Sequence, residues 1–306
     1  MKFQNIIIIF RKTAGLGFLL SVFTLTAFRC EDSECNYITD YYQLVYDAHL
    51  EYLKENYDTA YKLLKKAKSK CELLNQPEIR ETVLYAELCA RKGLYHEAFS
   101  YIEKALKSGF KFEYLTYNKG LTVLHKRPEW KELKAKVPES EKEFRNSINM
   151  ELRAEIIAMN KADQEVRNPP NYNKMKITDS LNEKRMKDIF KTFGYPNEKL
   201  TGTSTSSQRT DITFMLMHFK DTAYFRPFLY DCIKKGTCLP NILGAMIDSQ
   251  DRSTGLYTYG VYGNTDSTEI KDFKNLDNRR TAIGLRPWKK HKETMELVMK
   301  KYAQEQ

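Results

Sequence analysis

From Tyr41 the apolar residues fall at helical intervals, Tyr41, Leu44, Val45, Ala48, Tyr52 and Leu53. After a polar break around Asn56 the spacing resumes at Ala60, Leu63, Leu64 and Ala67. This period predicts two antiparallel helices. The design returns over residues 84–106, LYAELCARKGLYHEAFSYIEKAL, as a helix, a turn at Gly93 and a second helix. Laying Tyr57-Asp58-Thr59-Ala60 over Tyr95-His96-Glu97-Ala98 gives an offset of 38 residues. One helix pair cannot bury both of its faces, so a repeat of pairs is expected to stack.

The alanine at the tight helix–helix contact, the aromatic that follows the break and the A-x-x-x-A-L ending resemble tetratricopeptide repeats. The first unit is lengthened by LNQPE, where Pro77 and Glu78 suit a helix start. Residues 110–137 read as a third, divergent unit whose last helix opens at Pro128-Glu129-Trp130. Ser140-x-x-Glu143 is the pattern of a capping box and predicts the next helix start. The expected division is therefore an export signal or membrane anchor at 1–29, helical repeats at 36–138 and a helical domain at 140–306. In the last part, helices are expected near 141–165, 180–193 (with Ser180-x-x-Glu183 as its capping box), 208–219, 222–235, 240–247, 276–283 and 288–304. Only residues 256–263 carry the alternation and glycines of a short β-hairpin. The predicted fold class is all-α, with tetratricopeptide-like helical hairpins followed by a mostly helical domain bearing that one hairpin.

Charge removes one class of partner. The formal net charge of +10 falls to +6 once Lys2, Arg11, Lys12 and Arg29 of the first 29 residues are set aside. Nucleic-acid recognition normally needs a concentrated basic face, so no nucleic acid is expected. Arg11 and Lys12 precede the apolar run TAGLGFLLSVFTLTAF at 13–28, the layout of an export signal and short for a spanning helix. Cys30 follows at once and marks a lipid-attachment candidate, although Phe28 and Arg29 stand where lipoproteins prefer small residues. The expected location is outside the cytosol: periplasmic, attached to the outer membrane, or secreted. Five further cysteines, Cys35, Cys71, Cys89, Cys232 and Cys238, leave the disulfide connectivity open. A local bridge between Cys232 and Cys238 is sterically plausible. Without a CxxC or a nearby histidine, zinc is disfavoured. TGTSTSSQ at 201–208 lacks the Gly-Lys-Ser/Thr of a phosphate-binding loop, and neither a metal nor a cofactor is expected.

Three polar clusters carry candidate chemistry. Asp163 and Arg167 lie four apart on one helix face and can pair. His218 and Asp221 close one helix and open the next, where Asp221 serves equally as an N-cap. Asp251-Arg252, with Tyr257, Tyr259 and Tyr262, is followed by Asp277, Arg279 and Arg280. Converging arginines would make an anion pocket; their alternative role is to hold loops by bonding carbonyls and aspartates. In that second role Asp251-Arg252 anchors the domain.

Taken in order, Asp163, Gln164 and Arg167; Asp179 and Asn182; Gly194 and Pro196; His218 and Asp221; Asp251 and Arg252; Tyr259 and Gly260; and Asp277, Arg279, Arg280, Gly284 and Leu285 resemble a bacterial domain-of-unknown-function family, number 6624. The resemblance covers about residues 150–300 and implies no activity. Met217, Tyr257 and Tyr262 replace glutamines of that pattern, and Tyr195 replaces its tryptophan, which removes hydrogen-bonding groups from any shared site.

Two functions follow as expectations. The first is a cell-envelope module that binds a protein or peptide partner in the groove of its repeats. The second is a hydrolase-like enzyme for an anionic substrate, with His218, Asp163, Asp221 and Asp251 as acid–base residues and Arg167, Arg252, Tyr259, Arg279 and Arg280 holding the substrate.

Overall fold

The computed structural model describes residues 35–261 and 266–305, so the export signal or membrane anchor expected at 1–29, Cys30 and Tyr262 lie outside the described residues. The expected all-α class holds. The front half runs α1 (Tyr37–Asp40), α2 (Tyr42–Leu53), α3 (Tyr57–Lys68), α4 (Glu81–Arg91), α5 (Tyr95–Lys107), α6 (Phe112–Tyr117), a 3-10 segment (Lys119–Leu124) and α7 (Pro128–Ser147). Then come α8 (Met150–Glu165), α9 (Tyr172–Phe193), α10 (Glu198–Thr201), α11 (Thr213–His218), α12 (Thr222–Lys234), α13 (Pro240–Asp251), α14 (Leu276–Ala282) and α15 (Trp288–Glu305).

Helices α2/α3 and α4/α5 are antiparallel hairpins closed on alanines. Ala48, Ala60, Ala67, Ala98 and Ala105 have no exposed surface, which brings the backbones close enough for Leu64 and Ile102 to fill the space between pairs. Each hairpin turns through a left-handed residue. Gly93 (φ 73°) donates to the Ala90 carbonyl at 3.1 Å while Leu94 N reaches Cys89 O at 2.9 Å. In the first hairpin Glu55 (φ 65°) and Asn56 make the equivalent bonds to Tyr52 O (3.0 Å) and Glu51 O (2.9 Å). Both turns have the paired bonds of a Schellman closure, 38 residues apart. A disulfide joins Cys35 to Cys71, ahead of the first hairpin and behind it, and Cys89, Cys232 and Cys238 are free thiols. The local bridge considered for Cys232 and Cys238 is therefore not formed.

Helix α4 is the hub of the front half, with every residue from Glu81 to Ala90 buried. The 3-10 segment lies against it so closely that a Cβ on Gly120 would stand 1.9 Å from Cδ of Glu87, so a larger residue there would displace the Glu87 side chain. The Glu87 carboxylate accepts from the Tyr52 hydroxyl (2.9 and 3.0 Å) and from Arg91 Nε (3.0 Å).

The two halves are locked through α2. The Tyr42 hydroxyl donates to Cys238 O (3.1 Å), Gln43 Nε2 to Leu285 O (3.0 Å), and Lys290 Nζ pairs with Asp47 (2.6 Å). Residues from 35 onward pack as one unit, and the division expected near 138–140 falls inside α7.

Three local expectations change. Ser140 and Ser180 lie within α7 and α9, and the true starts of α8 and α9 are capped by Asn149, which accepts from Leu152 N (2.9 Å), and Asn171, which accepts from Lys174 N (3.0 Å). Helix α4 starts at Glu81, beyond Pro77. The β-hairpin at 256–263 is absent: among the described residues there is no strand, only single bridges, of which Tyr257–Ile270 falls in this segment. The physical reason lies in two aspartates of α13. Asp248, with no exposed surface, accepts the amides of Tyr259 (2.8 Å) and Val261 (2.6 Å), and Asp251 accepts that of Thr258 (3.0 Å). Carboxylates take the amides that a partner strand would need.

Candidate functional site

The buried face of α8 runs Leu152, Ile156, Met159, Asn160 and Asp163, apolar at first and polar at its end. Its polar end positions the neighbouring segments. Asn160 Nδ2 donates to Arg209 O (3.0 Å), tying down the chain that enters α11. At the other end of α11, Ser249 Oγ of α13 donates to Met217 O (2.9 Å) and Gln250 Nε2 to Phe219 O (3.1 Å). These bonds fix His218, the last residue of α11, over the end of α8.

There Asp163, Arg167, Asp179 and His218 meet. His218 Nδ1 is 3.1 Å from Asp163 Oδ1. Arg167 Nη2 lies 2.8 Å from Asp163 Oδ1, 2.5 Å from Asp179 Oδ1 and 2.5 Å from His218 Nδ1. Gln164 Nε2 donates to the other oxygen of Asp163 at 2.7 Å. The Asp163 side chain is 1% exposed and that of His218 28%, so the cluster runs from the interior to the surface with the imidazole at its outer end.

Proton counting limits what this arrangement can be. Nη2 carries two hydrogens and faces three acceptors, so Nδ1 of His218 either accepts from the guanidinium or donates to Asp163, not both. With Nδ1 turned inward in either case, Nε2 is the nitrogen left to meet a substrate. Burial works to raise the Asp163 pKa, but the bond to His218, the attraction of His218 and the charge of Arg167 outweigh it, and the carboxyl is held below its ordinary value. Counting both carboxylates as ionised, the cluster carries one net negative charge with a neutral imidazole and none with imidazolium.

The oxygens of Asp163 and Asp179 and a ring nitrogen of His218 lie within 4.8 Å of one another, the spacing of a cation site. Arg167 Nη2 lies within 2.8 Å of an atom of each of the three. As the residues stand, the guanidinium is the cation of the site.

The remaining predicted residues stand apart from this cluster in their bonding. Asp221 caps α12, accepting from Tyr224 N (3.1 Å), and pairs with Lys187 (2.7 Å). Asp251 binds Thr258 N and Oγ1 and pairs with Lys271. Arg252 is exposed at the end of α13, and Asp248 and Asp251 hold this loop through its amides. Arg280 is 2% exposed and bonds carbonyls, Nε to Arg286 O (2.6 Å) and Nη1 to Tyr259 O (2.5 Å). Its burial lowers its pKa to about 10. Arg279 likewise binds the carbonyls of Thr258 (3.2 Å), Asp272 (3.1 Å) and Lys271. Tyr259 is buried on an open groove that Arg279 also lines.

Two residues escaped the sequence-based site. Asp179 stands in the D-x-x-N element of the family resemblance, and that was its only signal. Asp248 has no local signal, because it is defined by the loop amides it receives. Comparison of the chain with protein-family models, with curated proteins and with solved structures finds no match, so the chemistry of the site rests on its own residues.

Proposed function

We propose that the chain is an enzyme of the hydrolase type in which His218 transfers the proton and Asp163 holds and orients it. The observation that supports this reading is the hydrogen-bonded contact of His218 with the buried Asp163, residues 55 apart in sequence on two different helices. A positioned imidazole of this kind contributes on the order of a hundredfold to ten-thousandfold in rate. Arg167 and Asp179 fix the geometry: the guanidinium balances two carboxylates and is committed to them, so the cluster favours a neutral or cationic substrate group over an anionic one.

The test is a screen of the disulfide-bonded protein against chromogenic esters, amides and glycosides. Turnover should fall at least about a hundredfold in His218→Gln and in Asp163→Asn and stay near wild type in Asp221→Asn. Failure of the wild type to turn over any of them, or turnover that survives His218→Gln, would overturn the reading.

A second reading, partner binding by the tetratricopeptide-like hairpins, is favoured by an open cleft of about 650 Å³ between the two hairpin turns, lined by Tyr57, Asp58, Arg91 and Lys92. The inner helix α4 is buried throughout, so a partner would meet the turns and not a groove along α4. If so, Tyr57→Ala with Lys92→Glu should abolish recovery of an envelope protein that the wild type recovers, and unchanged recovery would exclude this surface. Export remains part of both readings, supported by the apolar run at 13–28 and by a disulfide of the kind that persists in oxidising compartments. Mass spectrometry of the mature N-terminus checks it, and with it the proposal that Cys30 carries lipid.

A further inference from the structure

Apart from the His218 cluster, α12, α13, α14 and the loop at Thr258 enclose an open groove of about 550 Å³, the size class of small-molecule sites. Its floor is apolar and fixed: Leu243 is 1%, Tyr259 5% and Ile283 6% exposed. Among the described residues its charged lining consists of two arginines, Arg226 and Arg279, and includes no carboxylate.

The two arginines differ in a way that defines a ligand. Arg279 is pinned by the carbonyls of Thr258, Asp272 and Lys271, and the Asp272 carboxylate stands 3.6 Å from it, which offsets much of its charge. Arg226 stands exposed on α12 and lines the groove together with Tyr259, its charge acting on the Tyr259 hydroxyl. The groove therefore presents about one uncompensated positive charge, an adjacent phenol and a wall of aliphatic carbon from Pro227, Leu243 and Ile283. Guanidinium binds a carboxylate through paired donors, and the aliphatic floor gains by covering an apolar body.

We propose that this groove binds a small amphipathic monocarboxylate, its head on Arg226 and the Tyr259 hydroxyl and its apolar body over Leu243 and Ile283. The site shares no residue with the His218 cluster and stands whether or not that cluster is catalytic.

The test uses the full chain and two probes, octanoate and 3-phenylpropanoate, followed by calorimetry or saturation-transfer NMR, with 3-phenylpropanamide as the neutral control and inorganic phosphate as the anion without an apolar body. Both carboxylates should bind, and the amide and phosphate at least about tenfold more weakly, as expected when one charge-assisted bond or the apolar contact is lost. Arg226→Gln should weaken the carboxylates by about tenfold or more, Arg226→Lys should recover part of the loss, and His218→Gln should leave binding unchanged. Arg226 is exposed, so its variants should keep the wild-type melting temperature. No binding of either carboxylate to the folded wild type, equal binding of the amide or of phosphate, or undiminished binding to Arg226→Gln would overturn the assignment.

Discussion

Glu55 and Gly93 occupy equivalent positions in two helical hairpins and share a left-handed backbone, φ 65° and 73°. A side chain in that conformation costs roughly 1 kcal/mol or more, which glycine escapes at the expense of greater freedom in the unfolded chain. Glu55→Gly should therefore raise stability by about 0.5 kcal/mol. The reciprocal Gly93→Ala should lower it by about 1 kcal/mol, although a Cβ there meets nothing within 4 Å, because the penalty lies in the backbone. Urea midpoints of the two variants check the pair. Loss of stability in Glu55→Gly would show that the glutamate side chain outweighs its backbone cost.

The hairpins were readable because their information is local. Ala60 and Ala98 recur with the turn residues at fixed distance, and Pro128 marks the first residue of α7. Capping boxes misled at Ser140 and Ser180: a Ser-x-x-Glu pattern arises easily in charged helices, and Ser140 is instead buried on the continuing face of α7. The Asp163–Arg167 pair was legible as a helical i,i+4 contact, and the structure gives it 2.8 Å. Its junction with His218 and Asp179 was not, because that depends on how α8, α9 and α11 pack. The supposed hairpin failed for the same reason, since Asp248 and Asp251 withdraw its amides from across a tertiary contact.

Within the polar cluster, the two carboxylates on Arg167 should not be equivalent. Asp163 is 1% exposed and Asp179 21%, so removing Asp163 strips the half-buried Arg167 of its enclosed partner. Asp163→Ala should cost about 3 kcal/mol or more, and Asp179→Ala about 1 kcal/mol, water replacing part of the lost contact. Thermal and urea unfolding distinguish the two. Equal costs would mean that solvent screens both carboxylates alike.

The disulfide between Cys35 and Cys71 spans 36 positions of sequence. Closing a loop of that length removes enough unfolded-state freedom to contribute about 3 to 4 kcal/mol. Cys71→Ser, or reduction of the wild type, should lower the unfolding free energy by that amount. Peptide mapping without reductant should recover Cys35 linked to Cys71 and leave Cys89, Cys232 and Cys238 alkylatable once the protein is unfolded. A Cys232–Cys238 peptide in that map would contradict the structure.

Stability should rise from acid pH and level near neutrality, because buried groups titrate in opposite senses. Glu81 has no exposed surface and accepts from Gln76 N (2.7 Å), Gln76 Nε2 and the Tyr41 hydroxyl (3.3 Å). Burial pushes its carboxyl up to about 7 from an ordinary 4.5. The folded chain thus keeps a proton that the unfolded chain releases. The associated stability is complete below about 4.5 and is lost as pH rises through about 7, a change on the order of 3 kcal/mol. His49 and His291 behave in the reverse way, since burial lowers both to about 4 from 6.5. Their contribution is full above 6.5 and is lost as pH falls toward 4, where the unfolded imidazoles gain protons that the folded ones resist. Urea unfolding at pH 5, 6.5 and 8 should give a midpoint that rises from 5 to 6.5 and changes little from 6.5 to 8, where the last of the Glu81 loss offsets the last of the histidine gain. Glu81→Gln should steepen the rise from pH 5 to 6.5 and let it continue to pH 8, because the Glu81 contribution is lost across that whole range, and His291→Gln should make the rise shallower. A wild-type midpoint that keeps rising to pH 8 would place the Glu81 carboxyl in its ordinary range and remove the basis of the plateau.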